Sequence, residues 1–262
     1  MVTRRHFSAL AMAGTATLGF APLARADMLD EIKKAGVIRI AVPQDLPPWG
    51  SVGPDMQLHG YDIDMAKLIA AKLGVKLQLV PVTSENRIPF LETGKVDLVI
   101  SSLGKNPARM KVIDFSEKYA PFFSGVFGPA NIKVKSAADL GGMSVAVTRG
   151  NIEDMALTKL VPASTKIMRY GDNQSTISAF SSNQTQLICT DSSTAAEMLT
   201  NHAPRKPLLK FILQSSPCYV GISKGHPALL AKVNEIIAAA KTDGTLNKFC
   251  KTWLKEPLPP GF

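Results

Sequence analysis

Short apolar runs rich in β-branched residues recur along the chain between polar turns: VIRIAV (37–42), LQLVPV (77–82), VDLVISS (96–102), MSVAV (143–147), QLICTD (186–191) and YVGI (219–222). Each has the length of a buried strand, and they alternate with segments of helical period. The clearest helix opens at Asp62, whose side chain suits an N-terminus. It sets Met65, Leu68, Ile69 and Leu73 on one face and stops at Gly74. Another runs through Leu229, Leu230, Val233, Ile236, Ile237 and Ala240. Strands alternating with helices predict an α/β fold with mostly parallel sheets flanked by helices.

Within this pattern lies a quasi-repeat. RIPFLETGKVDLVISS (87–102) reads as a short helix, a turn and a buried strand ending in hydroxyls, and STISAFSSNQTQLICTD (175–191) has the same order, ending in Thr190 and Asp191. Two similar α/β lobes are the economical reading. Ligands of such sheets lie beyond the carboxyl ends of the strands, so Ser101, Ser102 and the loop after them, with Thr190 and Asp191, become cleft candidates. Taken singly, each of these residues serves equally well to end a strand and cap the next helix.

The first residues change the picture of where the chain works. MVTRRHF supplies a basic start with Arg4 and Arg5, SALAMAGTATLGFAPLA a weakly apolar run too short to span a membrane, and Ala24, Arg25, Ala26 a small-x-small cleavage site. T-R-R-x-F resembles the twin-arginine export signal; a Sec signal with a chance arginine pair is the other route. Both make residues 1–26 an export signal peptide cleaved near Ala26, and the mature chain, from about Asp27, periplasmic. Losing three arginines lowers the formal charge from +9 to +6. No later stretch reaches about 18 apolar residues, and no cysteine follows the cut to carry a lipid anchor, so a free soluble product is expected. Its charge is spread over helix-face positions such as Lys33, Lys34, Lys67, Lys72 and Lys76, a solvated surface and not a nucleic-acid footprint.

Composition excludes more. With 45% hydrophobic residues the chain can bury a core, and three cysteines (Cys189, Cys218, Cys250) make neither a disulfide scaffold nor a zinc module. Cys189 reads as a buried thiol, with a disulfide to Cys218 or Cys250 open to it in an oxidising compartment. G-x-G-x-x-G, the P-loop, G-x-S-x-G and H-E-x-x-H are absent, and His59, His202 and His226 stand far apart without metal spacing. No metal and no cofactor are expected. Asp62 and Asp64, one residue apart at a helix start, read as helix-capping acids and not as an acid/base pair. One basic residue stands out: Arg109 follows the strand-end serines in SSLGKNPARMKVIDFS, where Pro107 can open a helical turn. A guanidinium there could take a carboxylate through two parallel bonds. Asp191, at the matching place in the other half, could accept from an ammonium. Opposite charges on two lobes suggest an amino acid gripped between them.

Residues 60–73, GYDIDMAKLIAAKL, are similar to the signature of the family 3 extracellular solute-binding proteins. IRIAVPQDLPPWG resembles the family's first strand and cleft loop, GKVDLVISS the strand before the ligand loop, and ARMKVIDFSEKYAPF the Arg-containing stretch after it. VTRGN, MRYGDNQSTISAF, LICTD and KTDGTLNKFCKTWL follow in the family's order, so the likeness covers essentially the whole mature chain. It implies a type II clamshell: one lobe of 27–122 with 216–262, the other of 123–215, joined by two crossovers. It also implies a monomer that delivers an amino acid to an inner-membrane ABC permease. By position Arg109 would bind the carboxylate and Asp191 the ammonium, helped by Ser102, while Trp49 lies in the aromatic loop over the ligand, with Leu46 where many members place an aromatic. Ser101, Asn106 and Asn86 complete the expected surroundings. Two departures stand out: Ile152 and Gly104 occupy places where members carry hydroxyls, leaving Asn151, Arg149 and backbone amides to compensate. Arg87 and Asn86 hint at a polar or acidic ligand side chain. The family also includes exported prephenate or arogenate dehydratases, the alternative from another class.

Overall fold

The computed structural model describes residues 27–201 and 204–262. The expected export signal, residues 1–26, and His202 lie outside the described residues. In chain order the strands are β1 (Val37–Pro43), β2 (Asp45–Leu46), β3 (Gly50–Val52), β4 (Leu58–His59), β5 (Lys76–Val82), β6 (Leu98–Val99), β7 (Ile113–Ala120), β8 (Phe123–Gly128), β9 (Ser144–Thr148), β10 (Lys166–Tyr170), β11 (Leu187–Asp191), β12 (Leu208–Ser215) and β13 (Cys218–Ser223). The helices are α1 (Met28–Ala35), α2 (Tyr61–Leu73), α3 (Arg87–Glu92), α4 (Pro107–Met110), α5 (Ile152–Leu160), α6 (Asn173–Ser181), α7 (Ser192–Thr200), α8 (Pro227–Thr242) and α9 (Thr245–Phe249).

Two five-stranded sheets carry the fold, in the orders β5-β1-β6-β13-β7 and β10-β9-β11-β8-β12, with a small antiparallel sheet β2-β3-β4 beside the first. Each large sheet has one reversed strand. In the first it is β13, antiparallel to β6 and β7; in the second it is β8, antiparallel to β11 and β12. The chain passes from the first sheet to the second between β7 and β8 and returns between β12 and β13. Ser216 donates its backbone N–H to the Phe122 carbonyl at 2.9 Å, tying the two crossings together. The architecture is therefore a clamshell of two α/β lobes, each a mostly parallel sheet flanked by helices.

The quasi-repeat is real at the level of backbone. α3 and α6 each lead through a tight turn into a central strand, and the turn needs a left-handed residue four places before the strand begins: Gly94 (φ 68°) before β6 and Asn183 (φ 62°) before β11. Glycine and asparagine are the residues that visit this region most readily. The apolar faces of α2 and α8 pack on the first sheet in one cluster around Ile40, Ile63, Met65, Ile69, Leu98, Val233 and Ile237, all nearly solvent-free. Among the described residues no helix is long and apolar enough to cross a membrane.

Two expectations change. Asp62 does not cap α2; the helix begins at Tyr61 behind Gly60, whose φ of 142° and 2.3 Å clearance between a would-be Cβ and the Trp49 carbonyl admit only glycine. Asp62 is turned inward and fully buried, and Asp64 accepts from Trp253 Nε1 at 2.8 Å. The three cysteines are all buried free thiols, so no disulfide joins them.

Candidate functional site

The carboxyl ends of β1, β6, β9 and β11 meet where the lobes face each other, and several side chains bridge the gap. Asp45 of the first lobe accepts from the Asn173 backbone N–H (2.7 Å), Asn173 Nδ2 (3.0 Å) and the Gln174 N–H (3.3 Å), so it sits on the N-terminus of α6 in the second. A carboxylate is favoured there by the helix dipole and the unpaired first-turn amides. Trp49 Nε1 donates to Asp191 Oδ1 at 3.0 Å, and Thr194 Oγ1 donates to the Pro47 carbonyl at 3.1 Å. The lobes are closed on one another.

Between them remains a small cavity of about 10 Å3, room for about one water molecule. Arg87, Glu153 and Asp191 supply its charges; Ser84, Ser102, Asn151, Asn173 and Thr190 its neutral polar groups; Leu46, Phe122 and Ile152 its apolar wall. Asp191 ends β11 and caps α7, accepting from the Ser193 and Thr194 amides at 3.0 Å each, and burial nonetheless raises its pKa. Glu153 lies in the first turn of α5 and accepts from Ser124 Oγ at 2.8 Å; burial and then Asp191 push it up to about 7. Asp62 stands behind Ser102, accepting from the Ser102 N–H at 2.7 Å and Tyr119 Oη at 2.6 Å. Burial outweighs both bonds and raises it to about 7. Ser102 itself holds a positive φ of 40°, the turn that delivers its amide to Asp62.

The residues singled out from sequence divide. Asp191, Ser102 and Asn151 line the cavity, Asn151 also capping α5 by accepting from the Asp154 N–H at 2.7 Å. Ser101 is buried behind it and gives its carbonyl to Arg87 Nη1. Trp49 is fully buried, packed on Tyr61 and Phe122 at ring separations of 5.6 and 5.2 Å, and reaches the cavity only through its bond to Asp191. Asn86 accepts from the Thr83 N–H at 2.9 Å and shapes the turn before α3, while Asn106 caps α4 through the Arg109 N–H and donates to Met155 Sδ at 3.1 Å. Arg109 is not among the lining residues. Its Nη1 donates to the Gly104 carbonyl at 2.7 Å and its Nη2 to the Gly150 carbonyl at 2.9 Å, one in each lobe.

Gly104 and Ile152, the two departures, meet across the interface. A Cβ at Gly104 would stand 2.6 Å from Ser216 Oγ and 3.1 Å from Ile152 Cγ1, so the branched side chain of one lobe fills the space left by the missing one of the other. Glu153, Asn173 and Ser84 were not predicted. Only an acid and an asparagine in first helical turns hinted at the first two, and such residues usually serve the helix alone.

The model of the bacterial extracellular solute-binding proteins, family 3, matches residues 38–256. The chain belongs to this family. Among curated relatives, it is 27% identical to the ABC transporter glutamine-binding protein GlnH of Bacillus subtilis (strain 168) over 239 residues, covering 88% of this chain and 85% of the relative. Among solved structures it resembles the cysteine-binding protein from Campylobacter jejuni (TM-score 0.83, 28% identity, 90% of this chain and 96% of that one). It also resembles the ancestral amino acid-binding protein AncCDT-1, a precursor of cyclohexadienyl dehydratase (TM-score 0.79, 33% identity, 87% and 100%). As a family 3 member the chain is of an extracellular, solute-binding type, and these structures share its two-lobed fold.

Proposed function

We propose that this protein is the substrate-binding component of an ABC importer, taking an amino acid or closely related zwitterion between its lobes. The observation that carries the reading is a closed interlobe cavity whose walls hold both signs of charge, Arg87 against Asp191 and Glu153. A zwitterion satisfies both at once, where a singly charged solute leaves one sign without a partner and a neutral solute leaves both. The names of the relatives agree: GlnH is a glutamine-binding protein, and the Campylobacter jejuni structure a cysteine-binding one.

In this reading the lobes are 27–122 with 216–262 and 123–215, and they open about the paired crossings at Phe122 and Ser216. The 10 Å3 cavity is far smaller than an amino acid, so the lobes part to admit the solute and close with the lining side chains rearranged around it. Micromolar binding requires about 8 kcal/mol, and only the closed state presents both charges together, so ligand shifts the population toward closure. The closed form then docks on an inner-membrane permease. Residues 1–26 direct export, and the protein acts as a periplasmic monomer without a cofactor.

A second reading, an exported dehydratase of the prephenate or arogenate type on the same scaffold, draws on one observation: Glu153, at a pKa of about 7, is a proton donor available in the cavity near neutral pH. A thermal-shift screen against the twenty amino acids, prephenate and arogenate, followed by NMR of each stabilising compound after incubation, separates the two. Ligand at 100 times its dissociation constant adds about 2.7 kcal/mol, a rise of roughly 5–10 °C at this size. The binder returns its ligand unchanged; new resonances mean turnover and refute transport as the sole activity.

A further inference from the structure

We propose that the groove between α4 and α5 is a second binding site, one that takes a small organic acid with an apolar body and exists only while the lobes are closed. It is an open cavity of about 750 Å3, within the roughly 300–1,000 Å3 common for small-ligand sites. One wall is Pro107 and Ala108 of α4 with Lys111 just beyond, and the other is α5, from Ile152 and Met155 to Leu160. α4 packs on β7 of the first sheet, and α5 on β9, β11 and β12 of the second. Each lobe holds half of the site, so parting the lobes takes it apart. Ile152 lines both this groove and the interlobe cavity, and its side chain stands between them. The two spaces differ in chemistry: the inner cavity sets Arg87 against Asp191 and Glu153, whereas the groove is mainly apolar and bordered by exposed cations.

The charges along the groove fix the sign of what it binds. Lys111, Lys159 and Arg169 line it against a single acid, Asp154. That acid is already satisfied, accepting from Arg169 Nε at 2.8 Å and from the Gly150 N–H at 3.2 Å. Lys111 and Lys159 are exposed and, among the described residues, form no ion pair, so both are free to meet an anion. Gln214 of β12 adds a donor: it lines the groove, and its Nε2 is buried without a hydrogen-bond partner. Buried amides seldom stay unpartnered, and a carboxylate oxygen is the acceptor this one lacks. The apolar body has its own seat. Leu160 is 54% exposed although it ends a helix packed on the second sheet, and Met155 is half-buried beside it on α5. An aliphatic or aromatic body laid along these side chains and over Pro107 and Ala108 removes their surface from water. A neutral apolar molecule would leave the cations unmet, and an amine would be repelled by them. The class that fits is a compact aliphatic or aromatic carboxylate. Because it touches both walls, its occupancy and lobe closure favour each other.

Octanoate, octanol and octylamine share one apolar body and differ in charge, and calorimetric titration of the mature protein with each tests the site. Octanoate should bind saturably, one molecule per chain and more tightly than octanol, and octylamine should not bind. Ala108→Trp fills the groove from an exposed position on α4 and should abolish octanoate binding. The charge-reversed double variant K111E/K159E should weaken it by about fivefold or more, with a melting temperature close to that of wild type because both lysines are exposed. Asp45→Ala, which loosens closure from outside the groove, should weaken octanoate as well. The titrations contain no amino acid, so a failure of the solute-binding reading would show separately, in the amino-acid screen. Absence of octanoate binding, equal affinity for octanoate and octanol, or binding that survives Ala108→Trp or the charge reversal unchanged overturns the proposal. Unchanged octanoate affinity in Asp45→Ala overturns the claim that closure builds the site. Sedimentation velocity addresses another occupant: a wild-type dimer that Ala108→Trp dissolves would mean that a second copy of the chain fills the groove, and that result also overturns the proposal.

Discussion

Closure depends on contacts that exist only between the lobes, and Asp45 offers the cleanest way to weaken them. Its carboxylate lies outside the cavity lining and accepts three hydrogen bonds from the first turn of α6. Asn173, which does line the cavity, stays oriented without it, because Thr148 Oγ1 donates to Asn173 Oδ1 at 2.9 Å within the second lobe. Asp45→Ala should therefore leave the pocket intact and disfavour only the closed state. A buried bond to a charged group contributes about 1.5–3 kcal/mol, but the third bond here is long and exposed, and water replaces the carboxylate when the lobes part. The net loss from closure is then about 1–3 kcal/mol, or roughly 5- to 150-fold in dissociation constant. Most of it should appear as faster dissociation, since the bonds form after the solute has entered. Asp45→Asn, retaining one acceptor, should lose less. Calorimetry and stopped-flow release of the solute found by screening measure both. A dissociation constant within about twofold of wild type for Asp45→Ala would refute the claim that these bonds hold the bound state closed.

Two further predictions concern charge and backbone. Glu153 carries a pKa raised to about 7 in the folded chain against an ordinary value of 4.5, so folding favours its protonated form; that stability is fully present below about pH 4.5 and lost as pH rises through 7. Glu153→Gln, which keeps an oxygen for Ser124 Oγ, should gain on wild type in melting temperature between pH 5 and 8, with Asp62 leaving a residual slope; parallel curves would contradict the buried-acid account. Gly60→Ala forces a Cβ to 2.3 Å from the Trp49 carbonyl at a φ of 142° and should cost more than about 2 kcal/mol in urea unfolding; a loss under about 0.5 kcal/mol would show that the α2 entry is not rigid.

The fold was largely legible because its buried strands are continuous apolar runs. Val37–Pro43 and Leu187–Asp191 match VIRIAV and QLICTD almost residue for residue. VDLVISS shortens to Leu98–Val99, since Asp97 turns aside to accept from the Arg39 N–H at 2.7 Å and Ser102 bends the other end. Ile113–Ala120 and Leu208–Ser215 went unread because they are sheet-edge strands with mixed polarity, where one side needs no apolar residue. The site was half legible. Asp191 and Ser102 sit at strand ends, a place that topology marks as cleft. Arg87 looks on paper like a surface residue opening a short helix, and only the packing of α3 under the closed lobes reveals its burial. The sequence reads Arg109 as a cleft residue, but no spacing in it signals that the terminal nitrogens meet the carbonyls of Gly104 and Gly150, one in each lobe.

The most direct test of the account is a calorimetric titration of the mature protein with the amino acid that stabilises it most in the screen, followed by NMR of the ligand recovered from the same cell. The account predicts saturable binding of one solute per chain and full recovery of the unchanged amino acid. No saturable binding by any zwitterion, or recovery of a converted product, would contradict it.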